Sequence, residues 1–389
     1  MYSRKNNKLL PERVFNQYSM LKFFILVFIF YLINDCIVFS QNSPRGLFIL
    51  MRYKDLKDNK DSMHAVLSQK WVSGITMYLT WNNIEPVKNQ INTELLNQIT
   101  AQGIQAGKTI NFGFLPARGS PEWIYNEGVK KISWTHARFL SGQGLPQTNS
   151  APDPWDFKYW ELYNKCIAKI GEILKPYSNI GYIAVCGPSP MNGIEANYSI
   201  GGRVWVPNEN GKGMTATYPY KEEFENSGFE KIKFIDLWKK QFNVFNTVFP
   251  EKKLGLALHL EIGPNHDSEI SDVIRDYIMS NYNGRCAFML LGLGDKNGMI
   301  QKDSEYARLL GKGLVQDPNI DIGLQFAAWV NTQKNASGGM IGEWIENGTS
   351  VYGKNFRWVE VWYEDFQFAQ THADYINGFR KGYDILDNN

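Results

Sequence analysis

The sequence predicts a single (β/α)8 TIM barrel with long loops after strands 3 and 4. Three observations predict it: eight short apolar runs recur along the chain, segments with helical periodicity fill most of the gaps, and no Pro- or Ser-rich linker divides it. The runs begin near Gly46 (GLFILMRY), Gly74 (GITMYLTW), Lys108 (KTINFGFL), Ile180 (IGYIAVCG), Leu254 (LGLALHLE), Arg285 (RCAFMLLG), Ile320 (IDIGLQFAAW) and Phe356 (FRWVEVWY). Most are continuously apolar rather than alternating, which suits strands covered on both faces, as in a parallel sheet. Between them, residues 62–70, 93–103, 159–174, 232–249, 269–282, 304–314 and 371–385 carry apolar residues at helical spacing.

Spacing indicates where function lies. Most runs start about 30 residues apart, but the third-to-fourth and fourth-to-fifth intervals exceed 70. The excess follows the strand in each case, at residues 116–156 and 187–230, and so falls on the C-terminal face where barrels of this kind build their sites. Both insertions are rich in Trp, Tyr, Asn and Gly, and long loops on that face usually carry function.

The start of the chain reads differently. Leu21 to Leu32 is apolar apart from Lys22, further basic residues lie upstream, and Val38-Phe39-Ser40-Gln41 follows. This predicts a signal peptide over residues 1–40, cleaved near Ser40, with Met20 as an alternative start and residues 41–389 as the barrel. A signal-anchor helix is the rival, since the stretch approaches the roughly 20 residues that span a bilayer, but Asn34 and Asp35 interrupt it. The cleavage reading implies an exported protein, extracellular, periplasmic or at the cell surface, with no membrane insertion after cleavage.

Charge and composition narrow the class. Residues 1–40 hold five Lys/Arg against two Asp/Glu, leaving a net −1 for the rest, which argues against a nucleic-acid partner. Phe, Trp and Tyr make up 14% of the chain, more than a core usually needs, and suit a surface that stacks against ring-shaped ligands. Cys166, Cys186 and Cys286 are too few and too widely spaced for a disulfide framework or zinc site, and read as buried thiols. Asn197-Tyr-Ser, Asn335-Ala-Ser and Asn347-Gly-Thr are glycosylation sequons, meaningful only in a eukaryotic secretory pathway.

The stretch GITMYLTWNNIEPVKNQINTELLNQITAQGIQAGKTINFGFLPARGSPEWIY carries Trp81-x-x-x-Glu85-Pro86 after one strand and Ser120-Pro121-x-Trp123 after the next. It resembles the second and third βα units of clan A glycoside hydrolases, nearest to the family 42 β-galactosidases. The aromatic last strand, Trp358-Val-Glu360-Val-Trp362, extends the resemblance loosely across the chain. The resemblance implies a secreted or surface glycosidase acting on a poly- or oligosaccharide, with no metal and no organic cofactor. Clan A enzymes resemble one another most in an Asn-Glu pair ending the fourth strand and a Glu ending the seventh. Here the fourth strand runs on as YIAVCGPSPMNGIEANYS, with Glu195 its nearest acid, and the seventh reads GLQFAAWV, with Gln325 and no acid.

Glycoside hydrolysis needs two carboxyl groups about the bond, one protonated to assist the leaving oxygen and one ionised. Candidates are therefore acids at strand C-termini: Glu195 as general acid/base, Glu360 as its ionised partner across the barrel, and Glu261 in reserve for that second role. Asp295, Glu364 and Asp365 lie at similar places, whereas Glu85 and Glu122 read as loop braces beside proline. Glu360 sits amid Trp358, Val359, Val361 and Trp362, where a carboxylate must be paired or perturbed. Trp81, Trp123, Trp329 and Trp362 are candidate stacking platforms, and Asn192, His259 and Gln325 candidate hydroxyl ligands. For each acid, a salt-bridged loop carboxylate is the rival reading; for each Trp, core packing.

A non-catalytic carbohydrate-binding barrel is the alternative from another class, consistent with Gln325. Ser337-Gly-Gly339 is a weak match to a phosphate-binding loop. No G-x-S-x-G elbow is present, and five His supply no clustered metal-ligand set.

Overall fold

A computed structural model of the chain describes residues 43–136, 147–189, 192–196, 204–207, 214–217, 228–260, 268–293, 308–310, 317–326 and 338–389. Eight parallel strands form one closed barrel: β1 Gly46–Arg52, β2 Gly74–Thr80, β3 Thr109–Leu115, β4 Ile180–Ala184, β5 Leu254–Leu258, β6 Cys286–Leu293, β7 Ile322–Phe326 and β8 Phe356–Trp362. They pair in chain order, and β8 closes onto β1 with Gly46 opposite Trp358 and Phe48 opposite Glu360. The fold is thus the single (β/α)8 barrel, and each strand starts within two residues of its apolar run.

Helices follow the strands because the connecting segments are amphipathic. Thr93–Gln105 follows β2, Phe157–Leu174 follows β3, Lys231–Val248 follows β4, Glu269–Asn281 follows β5, Gly339–Tyr352 follows β7 and Ala373–Asn388 follows β8. The helix expected over 304–314 lies largely outside the described residues. Gly339–Tyr352 carries Gly342, Gly348 and Thr349, poor helix formers that hide its periodicity. Its buried Ile341, Trp344, Ile345, Gly348 and Tyr352 nonetheless recur at helical spacing. No helix among the described residues is long and apolar enough to cross a membrane.

Alternation along each strand separates two cores. Leu47, Ile49 and Met51 of β1 pack outward into the layer beneath the helices, while Phe48 and Leu50 join Tyr78, Tyr182, Met289 and Trp358 inside the barrel. Large interior rings are accommodated where a neighbouring strand has no side chain. A Cβ on Gly323 would lie 2.0 Å from the Trp358 ring, and one on Gly255 would lie 2.6 Å from the Tyr182 ring. Each fully buried aromatic side chain contributes about 1.5–3 kcal/mol through its burial. Cys166, Cys186 and Cys286 are free and buried, as anticipated.

Both long insertions carry an antiparallel hairpin outside the eight apolar runs. Lys131–His136 pairs with Gln147–Pro152 after β3, and Val204–Pro207 with Met214–Thr217 after β4.

Candidate active site

The path of the chain after β4 decides the site. Ile183 and Ala184 pair with Leu254 and Gly255 of β5, and Val185 N still donates to Gly255 O at 2.8 Å. The chain then leaves the sheet and returns at Glu195–Ala196, which pairs in parallel with Ala257 and Leu258. An uninterrupted fourth strand would have placed Cys186 at that register. The excursion is closed by Gly187 N donating to Gly193 O at 2.7 Å and by Ser189 Oγ donating to Glu195 O. Gly193 sits at φ +74, and a Cβ there would lie 2.5 Å from Pro116, so the turn requires glycine. Asn192 Oδ1 accepts from Ile194 N at 3.0 Å.

Glu195 therefore occupies the C-terminal end of the fourth strand structurally, although the sequence puts it well beyond Gly187. Its partner Ala257 belongs to the interior cluster, so Glu195 points to the same side, toward the barrel axis. Ser271, fully buried, secures the re-entry: its Oγ lies 2.7 Å from Ala196 O and 2.8 Å from His259 O, and accepts from His259 N.

Over this end of the barrel lies a cavity of about 650 Å3, whose wall includes Arg52, Tyr78, Asn192, Glu195, Gln325 and Trp362. Burial raises the Glu195 carboxyl above its ordinary range, and the nearby His259 ring works in the opposite direction. His259 Nδ1 lies 2.6 Å from Leu260 O; since a carbonyl only accepts, the proton is on Nδ1. Tyr78 OH donates to Gln325 Oε1 at 3.1 Å. Burial pushes the Tyr78 phenol well up, with the Glu360, Cys186 and Glu195 charges adding to the shift, which favours its role as a hydrogen-bond donor. Trp362 is held by its Nε1 donating to Phe326 O at 2.8 Å, and the Arg52 guanidinium lies 5.4 Å from its ring centroid. Arg52 in turn is paired with Asp55 and Glu364.

Glu360 differs from the expectation of a substrate-facing carboxylate. It points into the barrel on β8 but is 0% exposed and is not on the cavity wall. Thr76 Oγ1 at 2.7 Å, Tyr182 OH at 2.5 Å and Trp358 Nε1 at 3.4 Å all donate to its Oε1. Its Oε2 has no hydrogen-bond partner among the described residues. Burial moves its pKa up to about 7, although those three hydrogen bonds oppose the shift.

Two tryptophans also sit elsewhere than expected. Trp81 is 1% exposed and packs edge-on against Trp123, with centroids 5.6 Å apart, so neither is on the cavity wall. Together they grip the buried Glu85: Trp81 Nε1 donates to its Oε2 at 3.0 Å and Trp123 Nε1 to its backbone O at 2.9 Å. The motif Trp81-x-x-x-Glu85-Pro86 is thus a loop brace in this fold. Glu122 is exposed and pairs with Lys131. Glu261 and Trp329 lie outside the described residues.

The structure therefore brings Glu195, Asn192, Gln325 and Trp362 to one cavity, with His259 close to Glu195. Arg52, Lys54, Lys57, Tyr78 and Asn83 are also on its wall and were not singled out from sequence. Tyr78 had a legible signal, since it shares the alternation of Thr76 and Thr80 on β2; Arg52 ends β1 in the same way. Among the described residues no group of three His, Cys, Asp or Glu could hold a metal ion.

No protein-family model matches the sequence, and no curated protein matches it either. Solved structures do match by shape. The catalytic domain of a β-amylase from Paenibacillus polymyxa superposes with a TM-score of 0.53 at 12% identity, covering 90% of this chain and 99% of that one. A β-mannanase from the blue mussel Mytilus edulis gives 0.51 at 11%, covering 87% and 91%. A β-galactosidase from Rahnella sp. R3 gives 0.56 at 8%, covering 90% of this chain and 57% of that one. What these likenesses show is the fold alone, a (β/α)8 barrel.

Proposed function

We propose that the protein is an exported glycoside hydrolase that cleaves a poly- or oligosaccharide in the cavity over the C-terminal end of the barrel. The observation that carries this reading is Glu195: it re-enters the sheet at the end of the fourth strand, on the cavity wall, with its carboxyl raised by burial. A raised carboxyl keeps its proton to higher pH than an ordinary one, which is the direction a general acid for a glycosidic oxygen requires. Trp362 supplies a flat apolar face on the wall of the same cavity, and Asn192, Gln325 and Tyr78 supply hydroxyl-binding groups. The glycosidases of like fold support the substrate class. In this reading Glu261, after β5, takes the ionised role, because Glu360 is enclosed and holds Thr76 and Tyr182 in place instead.

The test is turnover of an oligosaccharide panel by the wild type and by Glu195→Gln, which keeps shape but cannot donate the proton. The expected loss is about 10²–10⁴-fold in kcat, with the descending alkaline limb of the pH profile removed. Turnover within a factor of a few would take Glu195 out of the reaction. Binding without any turnover by the wild type would convert the reading to a carbohydrate-binding barrel.

A further inference from the structure

The cavity wall has a charge pattern that a neutral sugar does not need. Its described basic residues are Arg52, Lys54 and Lys57, all from the end of β1 and the short helix Tyr53–Asp58 that follows, and its one described acid is Glu195. Arg52 is committed to Asp55 and Glu364. The Lys54 Nζ lies 3.8 Å from the same Glu364 oxygen that Arg52 already holds, and its side chain is 57% exposed. Lys57 forms no ion pair among the described residues, and its Nζ stands 5.9 Å from the Tyr53 ring centroid. Two ammonium groups one helical turn apart therefore line the cavity, one sharing Glu364 with Arg52 and the other with no ion pair among the described residues. Glu195 opposes them weakly, because burial favours its neutral form.

A second hollow of about 530 Å3, lined by Lys60, Asn92, Gln98 and the single acid Glu94 among others, shares Tyr53 and Lys57 with the first. Lys54, Lys57 and Lys60 thus follow one stretch of wall, with Tyr53 and Lys57 common to the two hollows. An extended ligand leaving the cavity along that stretch meets an aromatic face and successive cations. An excess of cations over acids in a concave wall concentrates anions there, an effect that salt screens over about 8 Å at physiological ionic strength.

We propose that the saccharide taken by this cavity bears anionic groups, uronate carboxylates or sulfate esters, which Lys54 and Lys57 bind. The inference rests on the carbohydrate reading above and adds the substrate class.

The experiment is calorimetry with the full chain against matched pairs that differ only in charge: trigalacturonate and its methyl ester, and a sulfated galactan tetrasaccharide and its desulfated form. At least one acidic member should bind about tenfold tighter than its neutral counterpart at low salt, with the preference shrinking as salt rises. Which pair shows it distinguishes carboxylate from sulfate. The double variant Lys54→Gln, Lys57→Gln should lose the preference, whereas Lys165→Gln, an exposed lysine paired with Glu161 and on the wall of neither hollow, should keep it. Equal affinity for charged and neutral members, no binding by any of them, or a preference surviving in the double variant would each overturn the proposal. Hydrolysis of a neutral member that Glu195→Gln abolishes, without charge preference, would sink this inference and leave the hydrolase reading standing. Charge-dependent binding without turnover would do the reverse.

Discussion

Glu360 is a carboxyl group at the centre of a barrel, and its protonation is coupled to folding. With the folded pKa near 7 and the ordinary value near 4.5, the folded state holds the proton more tightly than the unfolded chain. The stabilisation linked to that proton is fully present below pH 4.5 and is lost as pH rises through 7. We expect Glu360→Gln, which keeps an acceptor for Tyr182 and Thr76, to match the wild type at pH 4.5 and to exceed it at pH 8. The excess should be on the order of 3 kcal/mol, at 1.36 kcal/mol per pKa unit. Denaturant melts at the two pH values measure it, and a difference that does not change with pH would place the ionisation elsewhere. Glu195 is raised by the same cause, burial, but it faces the cavity, so its proton is available to a ligand. Two acids perturbed alike are separated in role by access.

Among the elements, the pair Gly339–Tyr352 and Ala373–Asn388 shows how closely two outer helices approach. A Cβ on Gly378 would lie 1.8 Å from Gly338 O, and one on Gly382 would lie 2.4 Å from Ile345 Cδ1. The first obstacle is backbone and cannot rotate aside. Gly378→Ala is accordingly expected to destabilise the fold by about 1–3 kcal/mol, although alanine is the better helix former by about 1 kcal/mol. A thermal melt showing Gly378→Ala at or above wild-type stability would mean the helices separate at little cost. Gly382→Ala, which meets only a side-chain end, should cost less. The excursion between β4 and Glu195 is the other element with consequences, since Ser271 and Gly193 hold it although neither touches the cavity.

On the scale of the whole molecule, the barrel closes between β8 and β1, and β1 begins at Gly46. Cleavage near Ser40 would leave that closure intact, so the proposed mature chain from about Gln41 should fold as the full barrel. Mass spectrometry of the exported fraction should find that N-terminus; a chain retained whole in the membrane through residues 21–40 would overturn it. At the N-terminal end of the barrel the buried Asp321 accepts from Ser43 Oγ at 2.6 Å and pairs with Lys253 at 2.8 Å and Arg357 at 3.4 Å. This knot joins β5, the approach to β7 and β8 at the end opposite the cavity, where charge serves the barrel and not the site.

The sequence by itself determined the barrel, because its signals are local: doubly covered strands read as apolar runs, and the helices as 3.6-residue periods. It also marked the working end, since insertion length shows which loops are built out. Alternation even put Trp358, Glu360 and Trp362 on one and the same side of β8. It did not tell their height along the barrel axis, and there the roles divide. Trp362 stands at the cavity while Glu360 is enclosed below it, a difference set by how eight tilted strands are staggered on closure. Glu195 could be picked as the nearest acid after the fourth strand, but its position there was not legible, for the same kind of reason. Its place at the end of the fourth strand comes from pairing with Ala257, a contact with a residue far along the chain that no spacing within its own segment records.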